Sequence, residues 1–189
     1  MYEAKNFERL LGTAGFSDAL LRNHFMLYEG YVSNTNKIFD LLKTKEAGTP
    51  EFNELKRRFG WEWNGMRLHE LYFGNILKGG NTINKKSALA KKIIEDFGSL
   101  EAWEKDFRST GAMRGIGWVV LSRDSETGRL FNVWVNEHDG GHLAGGDALI
   151  VMDVFEHAFM LDYGIKRADY IASFWNALDF GVAEVRFSK

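Results

Sequence analysis

Residues 17–42 read SDALLRNHFMLYEGYVSNTNKIFDLL, and the spacing of their apolar side chains decides the first half of the fold. Ser17 suits a helix N-cap. Leu20, Leu21, His24, Leu27, Tyr28 and Tyr31 recur at helical spacing, so they share one face of a long helix. Working outward, KTKEAGTP (43–50) is a turn and holds Pro50, the sole proline. Glu51 to Leu77 reads as a second helix, stopped by Lys78-Gly79-Gly80 in the manner of a glycine C-cap. Two long helices with a short connection make an antiparallel hairpin.

Beyond Gly80 the pattern changes. Residues 85–97 and 99–109 read as two further helices, the second capped by Ser99. Trp118–Ser122 and Leu130–Val135 read as strands joined by a turn at Asp124–Gly128, and Leu149–Met152 is a third apolar run. The stretch bearing Tyr170, Phe174, Trp175 and Leu178 is helical again. The expectation is an α+β protein: a helical hairpin domain over residues 1–80, then a C-terminal α/β domain over 81–189 with a three-stranded antiparallel sheet.

Composition excludes several classes of function. The net charge of −2, without a basic tail, argues against nucleic acid as a partner. The absence of cysteine removes disulfides, zinc–thiolate sites and thiol catalysis. No apolar stretch is long enough for a membrane span, and MYEAKNFERLLGTAGF lacks the uncharged core of a signal peptide, so a cytoplasmic location is expected. With 15 Phe, 6 Trp and 6 Tyr, the interior should be dense in rings.

The candidate chemistry lies in the histidines, of which there are five. His24 and His69 fall on the two arms of the hairpin among large apolar residues, where an unpaired imidazole is costly. Asp153 and His157 are four residues apart, directly after the third apolar run. That spacing alone also makes ordinary hydrogen-bonded pairs. Three imidazoles and one carboxylate form a borderline nitrogen/oxygen set that suits iron, manganese or zinc, and not calcium or magnesium.

Asp153-Val154-Phe155-Glu156-His157-Ala158 resembles the D-V-W-E-H-A signature of iron/manganese superoxide dismutases, with Phe for Trp. The likeness continues through Leu161, Tyr163, Arg167, Asp169-Tyr170-Ile171 and Phe174-Trp175-Asn176. Upstream, Gly115-Ile116-Gly117-Trp118 is similar to the family's G-S-G-W, and His69-Glu70-Leu71-Tyr72-Phe73 to its H-x-L-F-W. His24-Phe25 with Tyr31-Val32 and Asn34 resembles its first-helix segment. The resemblance implies one iron or manganese ion held by His24, His69, Asp153 and His157 between two domains. It implies conversion of superoxide to dioxygen and hydrogen peroxide, and a homodimer as the usual assembly. A non-enzymatic binding module on the same fold is the alternative, and a zinc hydrolase a further rival.

The resemblance also implies roles around the metal. Gly65 stands where relatives carry Gly or Gln; with Gly there, His138 is expected to hydrogen-bond the metal-bound solvent. Trp118 is expected in the aromatic wall, and Glu156 to reach across a dimer interface. Arg167 reads either as a structural cation or as one that steers substrate, and His142 as a surface loop residue. The first helix departs from the pattern. Relatives carry His four residues and Tyr eight residues after the ligand, whereas here Tyr28 is four and Tyr31 seven after His24. The expected reading is a helix without a π-bulge, with Tyr31 as gateway tyrosine and Tyr28 in the neighbouring gateway place. Aligning Asn23 with the ligand instead would lose a strong donor and leave His24 unexplained. Met160 replaces a Tyr that in relatives contacts the partner subunit.

Overall fold

A computed structural model describes residues Met1–Lys189. Two helices of equal length open the chain, α1 (Asp18–Leu42) and α2 (Pro50–Gly74). Their starts follow from capping: Ser17 Oγ accepts from Leu20 N, Thr49 Oγ1 accepts from Phe52 N, and Pro50 occupies the first turn where its missing N–H costs nothing. Tyr28 meets Glu70, Asn34 meets Glu62 and Phe39 meets Phe59, so numbers rise on one helix as they fall on the other. That is the antiparallel hairpin expected from the sequence. Helix α1 is a continuous α-helix with no π turn.

Helix α2 ends at Gly74, three residues before the expected Leu77. The chain leaves there because Ile76 bridges to Leu178, and the Asn75 carboxamide accepts from Val151 N at 2.9 Å. Next come α3 (Ala88–Phe97) and α4 (Leu100–Gly111), each begun by a serine cap. The sheet follows: β1 (Gly117–Asp124), β2 (Leu130–Asn136) and β3 (Gly146–Asp153), antiparallel in the order β2-β1-β3. Strand β3 is longer than its apolar run because only its second half is buried. The last part is helical, as expected, and consists of α5 (Met160–Tyr163), α6 (Arg167–Asn176) and α7 (Phe180–Phe187). No helix is long and apolar enough to cross a membrane.

One hydrophobic core runs through both halves, with Leu20, Leu21, Met66 and Tyr72 of the hairpin joined to Trp118, Met152 and Tyr170. Polar ties reinforce the junction. The Asp162 carboxylate accepts from Ser17 N and Ser17 Oγ at 2.7 and 2.6 Å, which places a negative charge at the positive end of α1. Arg186 of α7 donates to Leu149 O of β3 and Leu71 O at the end of α2. Gly117 begins β1 at φ +142°, where a Cβ would stand 2.0 Å from Val135 O. The close approach of the two strands therefore requires glycine just before Trp118.

Candidate metal centre

Four elements converge on one point. His24 comes from α1, His69 from α2, Asp153 from the last position of β3, and His157 from a short 3-10 turn at Glu156–Ala158. Their ligand atoms lie within 4.8 Å of one another. Asp153 Oδ2 is 3.2 Å from His24 Nε2, 3.7 Å from His69 Nε2 and 3.1 Å from His157 Nε2. The other oxygen, Oδ1, accepts from Phe155 N, so Oδ2 alone faces the imidazoles.

His24 Nε2 and His69 Nε2 are buried and have no hydrogen-bond partner. Such an orphan costs on the order of 1–3 kcal/mol, so two side by side call for a shared partner. His69 shows which partner fits. Its Nδ1 donates to Gly65 O at 2.6 Å, so in the neutral ring Nε2 bears a lone pair directed at the centre. Burial pushes His24 below the ordinary histidine range and His69 well below it, which keeps both rings neutral. Burial by itself raises the Asp153 carboxyl, but the facing His157 and His24 hold it well below the usual carboxylate range. A neutral nitrogen lone pair at His69 Nε2 beside a buried carboxylate fits a transition-metal cation.

Rings enclose this cluster. Tyr31 stacks on His69 with centroids 5.2 Å apart, Trp118 meets His69 edge-on at 4.9 Å, and Phe73 meets His24 at 4.9 Å. Phe155 stacks between His138 and His157 at 4.8 and 5.0 Å, so Phe155, like Phe73, makes aromatic contact with the cluster. His138 is fully buried, and its tautomer follows from its neighbours. The Trp118 indole can only donate, and it donates to His138 Nδ1 at 3.1 Å. The neutral ring therefore carries its proton on Nε2, which donates to Tyr31 Oη at 2.7 Å.

Not every expected residue joins the cluster. Tyr28 does not take the gateway place. Its hydroxyl is buried, accepts from Lys5 N at 2.9 Å and donates to Glu70 Oε1 at 3.0 Å, because one turn after His24 it points into the hairpin. Glu156 is exposed beside His157. Arg167 is spent on the carbonyls of Met113 and Gly115 and lies over Phe159, which makes it structural. His142 is an exposed loop residue, as expected, with Nε2 2.9 Å from His138 O. Trp61 went unread: its ring meets His138 edge-on at 4.9 Å. The signal was there, since Trp61, Gly65 and His69 recur every four residues on one helix face.

Residues 85–186 match the family model for the C-terminal domain of iron/manganese superoxide dismutases. The chain belongs to that family. It is 36% identical over 180 residues to the superoxide dismutase [Fe] of Cupriavidus metallidurans, covering 92% of this chain and 89% of the relative. The superoxide dismutase [Fe] of Aquifex pyrophilus is 34% identical over 196 residues, covering 99% and 91%. Superoxide dismutase [Mn] 2 of Haloferax volcanii is 34% identical over 171 residues, covering 88% and 84%. Iron- and manganese-named members of the family are thus almost equally similar to this chain.

Two predictions follow from the geometry around Tyr31. A Cβ on Gly65 would stand 2.6 to 2.8 Å from Tyr31 ring carbons. Gly65→Ala should therefore destabilise the protein by about 1–3 kcal/mol through overpacking. In a Tyr31→Ala background the same change should instead stabilise by up to about 1 kcal/mol, the usual helix preference for Ala over Gly. Urea unfolding of the four proteins checks this; equal effects in both backgrounds would show that the ring does not need the space. The second concerns acid. Burial lowers His138 from its ordinary 6.5 to about 4, so the fold favours the neutral ring. Its contribution is fully present above about pH 6.5 and is lost as pH falls towards about 4. His138→Gln, which can still accept from Trp118 and donate to Tyr31, should lose less stability than the parent between about pH 7 and about pH 5. Matching losses in urea melts at the two pH values would count against it.

Proposed function

We propose that the chain is a superoxide dismutase whose single iron or manganese ion is held by His24, His69, Asp153 and His157, between the residues 1–80 and 81–189 that we read as its two domains. The observation that carries this is the pair of buried imidazole nitrogens without partners, both turned towards Asp153 Oδ2. An iron or manganese ion there supplies a divalent/trivalent couple that takes an electron from one superoxide and gives it to the next, yielding dioxygen and, with two protons, hydrogen peroxide.

The chain's own groups then have defined tasks. His138 fills a lone pair of Tyr31 Oη with its Nε2 proton, so the Tyr31 hydroxyl hydrogen is free to point elsewhere. Burial pushes the Tyr31 phenol up to about 12, so it holds its proton at neutral pH at the edge of the cluster. Tyr31 is the gateway residue on this reading, and His138 fixes its orientation. Trp118, Phe73 and Phe155 keep bulk water from the remaining sides. Glu70 and Tyr28 brace the hairpin from behind rather than line the entrance.

We place the protein in the cytoplasm, in keeping with its lack of cysteine. We also propose a homodimer through the face that carries Glu156. Met160, Leu161 and Ile165 are exposed there at 47, 59 and 92%. Exposed apolar side chains within nine residues of an exposed carboxylate and a partly buried histidine suit a second copy of the chain.

Loading the metal-free protein separately with iron, manganese and zinc tests the activity. Iron or manganese should give superoxide consumption in a pulse-radiolysis assay and zinc none, because zinc has no accessible second oxidation state. His69→Ala and Asp153→Ala should lose bound metal and at least about a hundredfold in rate, with metal content read by atomic emission. A chain that binds iron or manganese at these residues and leaves superoxide untouched would overturn the proposal. For the assembly, sedimentation should give twice the chain mass, and Leu161→Asp should give one chain mass; a monomeric parent would remove the dimer.

A further inference from the structure

One arrangement beside the cluster has no task in the chemistry above. Arg58, Trp61 and Glu62 lie two to three turns before His69 on α2. Glu62 is a buried carboxylate, its side chain 3% exposed, paired with the Arg58 guanidinium at 2.7 Å and with Asn34 Nδ2 at 3.3 Å. Arg58 keeps 57% of its side chain exposed, and its guanidinium lies 5.2 Å from the Trp61 ring centre. Trp61 meets His138, His138 bonds Tyr31, and Tyr31 stacks on His69. Consecutive contacts therefore lead from an exposed cation to a ligand imidazole.

The ion pair is asymmetric. Its carboxylate faces inward and its guanidinium outward, so an anion arriving from solvent meets the positive end. The anchoring matters too: a free arginine spreads its charge over many rotamers, whereas Glu62 and the Trp61 face hold this one in place. Arg167, the other cation considered for this task, is tied to backbone carbonyls.

We propose that Arg58, anchored by Glu62 and stacked on Trp61, steers small anions to the entrance beside Tyr31 and His138. The identity of that anion as superoxide rests on the function proposed above, but the steering does not.

The test compares Arg58→Gln with Arg57→Gln in the iron-loaded protein. Arg57 is one residue away, exposed and paired with Glu54 at 3.0 Å, so its loss changes net charge equally. Two rates are followed from about 10 mM to about 500 mM salt: superoxide consumption, and the entry of azide, a small iron-binding anion, by stopped flow. Arg58→Gln should slow both about threefold at low salt and converge on the parent at high salt. Arg57→Gln should follow the parent throughout, and Arg58→Lys should keep part of the salt response. If Arg58→Gln and Arg57→Gln give overlapping azide profiles, the steering role is overturned. If azide entry depends on Arg58 as stated while no superoxide is consumed, steering of anions stands and the superoxide reading falls.

Discussion

A carboxylate with no access to water, faced by three imidazole nitrogens, cannot be stable in a protein interior unless something compensates its charge. Asp153 is in that position, and the rest of the molecule is arranged around it. Each half contributes two of the four clustered side chains: the hairpin supplies His24 and His69, while the strand end and the turn after it supply Asp153 and His157. The central strand has a double duty. Trp118 on β1 is in register with both Asp153 on β3 and Val135 on β2, so one residue spans the width of the sheet. Its indole then reaches His138, in the loop that follows β2. The separation between Asp153 and His138 is thus set by strand pairing.

Groups that can only donate or only accept fix the hydrogens around this centre. The Trp118 indole decides the tautomer of His138, and Gly65 O decides that of His69. A third case lies behind Asp153. The Tyr170 hydroxyl is 2.5 Å from Asp153 O and 3.2 Å from the Tyr72 hydroxyl. A carbonyl can only accept, so Tyr170 gives its proton to Asp153 O and Tyr72 must donate to Tyr170. Burial raises Tyr72 and Tyr170 far above the ordinary phenol range, so neither gives up its proton to solvent. Asp153 is therefore held from its backbone as well as by its carboxylate. A cation entering such a site meets donors already oriented, with little left to reorganise.

What could be read from the sequence follows the range of the forces involved. Helix caps at Ser17 and Ser99, the hairpin, and the strand pair around Asp124–Gly128 depend on neighbours a few residues away, and all were legible. Asp153 and His157 were legible as a local motif. The end of α2 was not, because Gly74 stops the helix only where Leu178, a hundred residues on, takes up Ile76. Tyr28 and Tyr31 both looked eligible for the gateway. Their separation depends on Lys5, Glu70 and His138, which come from three different parts of the chain. The four-residue spacing of Trp61, Gly65 and His69 places Trp61 on the face of His69, but its contact with His138 depends on a loop more than seventy residues on.

The shortened first helix and Gly65 are best understood as one feature. In a regular α-helix a residue seven positions on is only about 20° from the same face. Tyr31 therefore lies nearly in line with His24 and can reach across to α2, where its ring stacks on His69. One extra residue would turn it by about 100° and carry it off that line, unless a π turn absorbed the insertion. The regular helix places the ring so close to α2 that no side chain can stand opposite, which is the space Gly65 leaves. That same residue's carbonyl takes the His69 Nδ1 proton. A bulkier residue at position 65 would thus meet the Tyr31 ring and disturb the backbone that orients His69. The tyrosine's position on α1 and the glycine on α2 have to be compatible with each other, and neither can be assigned a role by aligning its own helix alone.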